Sequence, residues 1–206
     1  MADGPLRRLS TLRQSDGWIY TTMLVSALIS LTASFVLSVD AIALAENPNA
    51  ALACNINAVL SCGTVGVSWQ ASLFVFPNAF LGLIAEPVVI TIAVASLGGV
   101  RFPRWFMCSA QVVYTLGLVF AYWLFFQAYF VIGALCPWCL LVTLSTTLVF
   151  TSLTHVNIRD GNLYLPPRAN RAMQRFVRAD LDALVVAIWL MAVVMLVMVK
   201  YGPMLV

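Results

Sequence analysis

Five stretches of this chain are apolar for long enough to cross a bilayer: residues 18 to about 44, 77 to about 98, 105 to about 131, 136 to about 155, and 183 to about 201. A helix of about 20 apolar residues spans the hydrocarbon core, so each is predicted to be a transmembrane helix. The second is interrupted by Glu86-Pro87, where proline frees a carbonyl and kinks the helix. Polar residues gather between the spans, at 1–17, 99–104 and 156–182. Residues 46–76 fit neither pattern. They form a long connection that is apolar at Leu52, Ile56, Ala58, Val59 and Leu60, and a long loop in a compact protein is usually functional. It is predicted to lie on the bilayer surface as a short helix and cap.

Composition sharpens this reading. Of 206 residues, 62% are hydrophobic and 9% charged, with mean hydropathy +0.96. So few charges exclude a soluble domain of this size and point to an all-α polytopic membrane protein. The net charge of +3 does not indicate nucleic acid, because the charges fall at helix ends. Ten of the eleven Lys and Arg lie in residues 1–17, 99–104 and 156–182, with Lys200 alone opposite. The positive-inside rule makes those segments cytoplasmic and the 46–76 loop and C-terminus extracytoplasmic. Arg168, Arg171, Arg175 and Arg178 give one basic helix face, suited to anionic headgroups or to a solvated linker. Ala43-Leu44-Ala45 looks like a signal-peptidase site, but the apolar stretch before it exceeds a signal h-region, so the helix is expected to be retained.

The chemistry concentrates at Cys136-Pro137-Trp138-Cys139, at the mouth of the fourth span. Two thiols so spaced exchange between dithiol and disulfide. Pro137 suits the first position of a helix, whose positive end favours a thiolate. Cys54 and Cys62 form a second pair on the same predicted face, where disulfides persist. Two dithiols there make a relay. A tetracysteine zinc site is the rival, but seven residues separate Cys54 from Cys62, more than zinc pairs usually have; no metal is expected. Leu140 stands where a c-type haem motif needs His. Cys108 belongs at the opposite membrane face as a small buried hydrophobe. His155 is placed beside water at the far end of the fourth span, and Asp40 as an interfacial carboxylate facing water. Glu86 is a candidate for proton handling, since a charged side chain at the helix centre costs about 2.5–3.5 kcal/mol on insertion scales. The alternative for Glu86 is a structural pairing inside the bundle.

Across about 18–155 the chain resembles the vitamin K epoxide reductase family in its bacterial form. The resemblance rests on the spacing of Cys54 and Cys62, on Ser68 six residues later, on Pro77-Asn78-Ala79-Phe80-Leu81-Gly82 opening the second span, and on Cys136-Pro137-Trp138-Cys139 opening the fourth. It implies a four-helix transmembrane bundle around a quinone site, with a fifth helix appended. The implied domains are residues 1–17 as a cytoplasmic segment, 18–155 as the catalytic bundle with loop 46–76, 156–182 as a basic cytoplasmic linker, and 183–206 as the fifth helix. The implied activity is thiol–disulfide oxidoreduction in the bacterial cytoplasmic membrane. A separate DsbA-like thioredoxin-fold thiol oxidase delivers electrons to Cys54–Cys62. Cys62 exchanges with Cys136, and Cys139 reduces a quinone (menaquinone, ubiquinone or another vitamin K-like quinone). In the family's pattern Asn78 hydrogen-bonds the quinone and Ser68 orients the cap or polarises the other side of the quinone, while Trp69 and Trp138 are candidates to wall the ring or to anchor at the interface. Thr143 stands where vertebrate members carry Tyr. The chain resembles a DsbB-type oxidase less, because that family has its Cys-x-x-Cys in the first outside loop.

Other readings stay open at this stage. Reduction of a quinone epoxide would use the same thiols. A small transporter would use Asp40 and Glu86 as a proton path, and would keep its activity without cysteines. A structural membrane subunit would carry no quinone.

Overall fold

The computed structural model describes residues 13–56 and 59–205. The N-terminal residues with Arg7 and Arg8, and Ala58 of the loop, lie outside the described residues. Helix α1 (Asp16–Glu46) starts where the Ser15 hydroxyl caps the Trp18 N–H at 3.3 Å. Short helix α2 (Cys62–Gly66) and a 3-10 turn (Trp69–Ser72) form the cap in the loop. Then come α3 (Ala79–Leu97), α4 (Arg104–Phe126), α5 (Pro137–Arg159), α6 (Pro167–Arg178) and α7 (Leu181–Leu205). Five of these are long and apolar enough to cross a membrane. The protein is an all-α, multi-pass membrane bundle.

α1 is the centre of the bundle and packs on both α3 and α5, while α4 packs on α5. Its buried face is a ladder of small residues: Ser26, Ala27, Ser30, Ala33, Ser34 and Ser38. Small side chains let transmembrane helices approach closely. The closest point is Gly82 of α3, where an added Cβ would stand 2.1 Å from Ser34 Oγ. Because α3 and α4 flank α1 and α5 without packing heavily on each other, a space remains between them, and it becomes the cavity described below.

α4 does not stop at Phe126. It widens into a π-helical segment, Gln127–Ile132, whose end is set by Gly133 at φ 75°, a left-handed conformation that favours glycine. α7 stands outside the four-helix bundle, with its span facing outward. Near one end, Asp182 accepts from His155 Nδ1 at 2.7 Å and Arg13 at 3.3 Å. Near the other, the Tyr129 carbonyl of the π-helical segment accepts from Lys200 Nζ and, at 3.3 Å, from the Tyr201 hydroxyl. Midway, Trp189 Nε1 donates to the Tyr122 hydroxyl at 2.8 Å. His155 is therefore not beside water as predicted. It is 5% exposed and paired with Asp182, because α7 closes over the end of α5. Below the cavity, Asn157 donates to Gln111 at 3.0 Å and accepts from Asn162 at 3.1 Å. That fully paired buried network fixes the same end of the bundle.

Candidate active site

The site is assembled by the turn after the π-helical segment. Gly133 reverses the chain, and Leu135 then pairs with Leu60 as one parallel β-bridge. The Leu135 N–H donates to Val59 O at 2.7 Å, and the Ser61 N–H donates to Leu135 O at 3.0 Å. This pins the long loop directly beside the start of α5. Cys136 is the N-cap of α5 and Pro137 its first residue, as the spacing predicts. The Cys139 N–H donates to Cys136 Sγ at 3.3 Å. That N–H and the positive N-terminal end of α5 favour a thiolate at Cys136.

On the loop side, Cys54 and Cys62 are joined in a disulfide, while Cys136, Cys139 and Cys108 are free thiols. Asn55 shapes this segment: its Oδ1 accepts from the Gly63 N–H at 2.9 Å and the Ser61 hydroxyl at 3.2 Å. Ser61 in turn caps α2 by accepting from the Thr64 N–H at 3.1 Å. The result places Cys62 Sγ 3.2 Å from Cys136 Sγ, with both residues buried. A thiol against a disulfide sulfur at that range is the geometry of thiol–disulfide exchange. Asp40 Oδ2 lies 3.5 Å from Cys54 Sγ, so this carboxylate, half-buried, turns to the cysteines instead of facing water. Asp40, Cys54 and Cys62 offer donor atoms within 4.8 Å of one another, but a disulfide supplies no thiolate ligands, and the trio does not fit a metal centre. Cys108 sits in the first turns of α4, at the opposite end from Gly133, and is only partly buried there, not fully buried as the sequence predicts.

Beside the cysteines lies a cavity of about 530 Å³, walled by α1, α3, α4, α5 and the cap. Cys62, Cys136 and Cys139 reach its wall, as do Ser68 and Asn78. The Asn78 amide also ties the cap: Nδ2 donates to Gln70 O at 2.6 Å, and Oδ1 accepts from the Leu73 N–H at 3.2 Å. Ser68 Oγ donates to Val65 O at 2.6 Å. Trp69 and Trp138 do not form this wall. Trp69 is 65% exposed and meets Trp123 edge-on at 6.2 Å, and Trp138 packs on the cysteine cluster. Thr143 is on the wall, with its hydroxyl bonded to Cys139 O at 2.9 Å.

Glu86, which the sequence singled out for proton handling or for a structural pairing, reaches the wall and is 3% exposed. It accepts from the Ser30 hydroxyl at 2.7 Å and from the Tyr114 hydroxyl at 3.0 Å. Ser30 carries a signal only as part of the small-residue ladder, and Tyr114 carries none, being one aromatic among many in α4. Asp40 was visible, but its neighbour was not.

A search of curated proteins finds no match to this sequence. The family model described as the vitamin K epoxide reductase family matches residues 21–154, a stretch that holds most of α1 and α5, all of α3 and α4, and both cysteine pairs; this chain belongs to that family of membrane oxidoreductases.

Proposed function

We propose that the chain reoxidises a separate secreted dithiol protein, a DsbA-like thioredoxin-fold oxidase, and passes the electrons through two cysteine pairs to a membrane quinone. The observation that carries this reading is the 3.2 Å approach of Cys136 Sγ to Cys62 Sγ, with Cys62 still bonded to Cys54. The partner reduces Cys54–Cys62. Cys62 then attacks Cys136, and the exchange leaves Cys136 and Cys139 as the reduced pair, which is the distribution of bonds found here.

The cavity fits a quinone. Its volume of about 530 Å³ lies within the range of ligand sites, roughly 300–1,000 Å³, which are mostly apolar with a few convergent polar groups. A bound quinone supplies a two-electron, two-proton acceptor. Cys139 is the thiol to face it, Asn78 the donor to a ring oxygen, and Ser68 holds the cap that bounds the site. Trp138 contributes by packing on the cysteines, and Trp69 as an exposed anchor. The arginine distribution supports a cytoplasmic N-terminus with the cysteines and C-terminus outside. The division into 1–17, 18–155, 156–182 and 183–206 follows from it.

The test is quinone reduction by purified full-length protein supplied with a reduced thioredoxin-fold dithiol, with menaquinone and ubiquinone analogues compared. Turnover that vanishes in Cys136→Ala and in Cys139→Ala is expected. Undiminished turnover in both variants would overturn the proposal.

A further inference from the structure

We infer that Asp40 is the proton acceptor for Cys54 in the step that closes the Cys54–Cys62 disulfide; this rests on the relay proposed above. Asp40 lies in the last turns of α1, half-buried on the cavity wall. Its Oδ2 stands 3.5 Å from Cys54 Sγ, and this is its only polar contact among the described residues. In the disulfide state that contact gains nothing, because a bonded sulfur has no hydrogen to donate. In the dithiol state Cys54 carries an S–H, and the carboxylate is in place to accept it. The arrangement suits the state in which Cys54 is about to react.

The proton and electron balance runs through two exchanges. In the first, the Cys62 thiolate attacks Cys136 of the oxidised Cys136–Cys139 pair. A Cys62–Cys136 bond forms, the Cys136–Cys139 bond breaks, and Cys139 leaves as a thiolate. In the second, Cys54 attacks Cys62. Its thiol proton passes to Asp40, the Cys54–Cys62 bond forms, the Cys62–Cys136 bond breaks, and Cys136 leaves as a thiolate held by the first-turn N–H groups of α5. Two electrons have moved from the loop pair to the helix pair. The structure holds the product of this second step: Cys54–Cys62 bonded, Cys136 Sγ still 3.2 Å from Cys62 Sγ, and Asp40 against Cys54.

The titratable groups that face Asp40 are Cys54 and Cys62 of the loop and, from α5, Cys136 and Cys139. Glu46, further along α1, is exposed. An ordinary thiol ionises unaided only near pH 8.5, so a proton acceptor matters most below that pH.

The test uses the full-length chain, fully reduced with dithiothreitol, desalted, and mixed with stoichiometric decylubiquinone. Acid-quenched samples are alkylated and their disulfides mapped. Native protein should close Cys54–Cys62 with little Cys62–Cys136 bond on the way. Asp40→Asn should accumulate the Cys62–Cys136 bond and close Cys54–Cys62 about a hundredfold more slowly near neutral pH, the low end of what general-base catalysis contributes. The deficit should shrink towards pH 9, where Cys54 ionises unaided, and Asp40→Glu should recover part of the rate. Native-rate closure in Asp40→Asn overturns the inference. So does slow closure that ignores pH and builds up no Cys62–Cys136 bond, which would mark a structural role. The relay itself has separate controls: Cys54→Ser should hold the Cys62–Cys136 bond indefinitely, and its failure to form that bond would sink the relay. If decylubiquinone leaves the thiols reduced, the quinone reading fails, and diamide as oxidant still reads the Asp40 step.

Discussion

Leu60 and Leu135 pair as a single parallel β-bridge, and that pairing sets the distance between the two redox centres. Cys62 follows Leu60 by two residues and Cys136 follows Leu135 by one. The loop cannot slide along the start of α5 without breaking the 2.7 Å and 3.0 Å hydrogen bonds that flank the bridge. The 3.2 Å contact between Cys62 and Cys136 is therefore fixed in register.

Thiol exchange traps a mixed disulfide when the resolving thiol is absent. Cys139→Ser should accumulate a Cys62–Cys136 bond, and Cys62→Ser an adduct between Cys54 and the partner. Cys108→Ser should change neither, since it lies at the far end of α4. Non-reducing gels with peptide mapping distinguish these species. A Cys54–Cys136 bond in the Cys139→Ser protein would reverse the roles of the loop cysteines.

Asn78 faces the cavity and also bonds the cap at Gln70 O and Leu73 N. Asn78→Ala should slow quinone turnover by about ten- to a hundredfold, the value of a lost hydrogen bond to developing charge at roughly 1.5–3 kcal/mol. It should also loosen the cap. Asn78→Asp keeps the acceptor for the Leu73 N–H and loses the donor. A turnover defect as large as that of Asn78→Ala, with thermal stability nearer the native protein's, assigns the effect to the donor. Native kinetics in both variants would move quinone binding to other wall residues.

Gly82→Ala should destabilise the bundle by roughly 1–3 kcal/mol, the usual cost of overpacking. The new methyl would meet Ser34 Oγ at 2.1 Å and Ser34 Cβ at 2.8 Å. Ser34→Gly in the same chain should restore most of the loss, whereas Ser34→Ala should not. Thermal unfolding followed by tryptophan emission measures both. Equal melting temperatures for Gly82→Ala and the native chain would show that α1 and α3 can separate freely.

Tags placed before residue 13 and near Asn170 should react only from the cytoplasmic side, and one after Val206 only from outside. The opposite pattern in intact cells would take both cysteine pairs out of an oxidising compartment.

The spans, the helix start at Cys136, the place of Pro137 as first helical residue and the position of Cys108 far from the other cysteines were all legible in the sequence. Each depends on local chemistry or on the length of an apolar run. What was not legible depends on which helices become neighbours. α1 has almost no polar/apolar asymmetry, because lipid-facing and bundle-facing residues in a membrane are both apolar. Nothing in its sequence said that Ser30 would meet Glu86, or that Asp40 would meet Cys54. His155 was misplaced for the same reason: its burial is imposed by α7, whose first turn supplies Asp182 from 27 residues away. Trp69 and Trp138 stand near the cysteines in sequence, but Trp69 is exposed on the cap and Trp138, in the first turn of α5, packs on the cysteines instead of lining the cavity.

The π-helical segment after Phe126 governs two distant things at once. One end of it dictates where the chain emerges to deliver Cys136, through Gly133. Its Tyr129 carbonyl is also the hook on which Lys200 and Tyr201 hang the outer end of α7. The widened turn thus acts as a common hinge pin. Removing one residue from 127–132 would tighten it to an ordinary α-helix, rotate the exit of the chain by about 100° at 3.6 residues per turn, and unhook the fifth helix in the same stroke. The appended helix and the redox motif cannot vary independently.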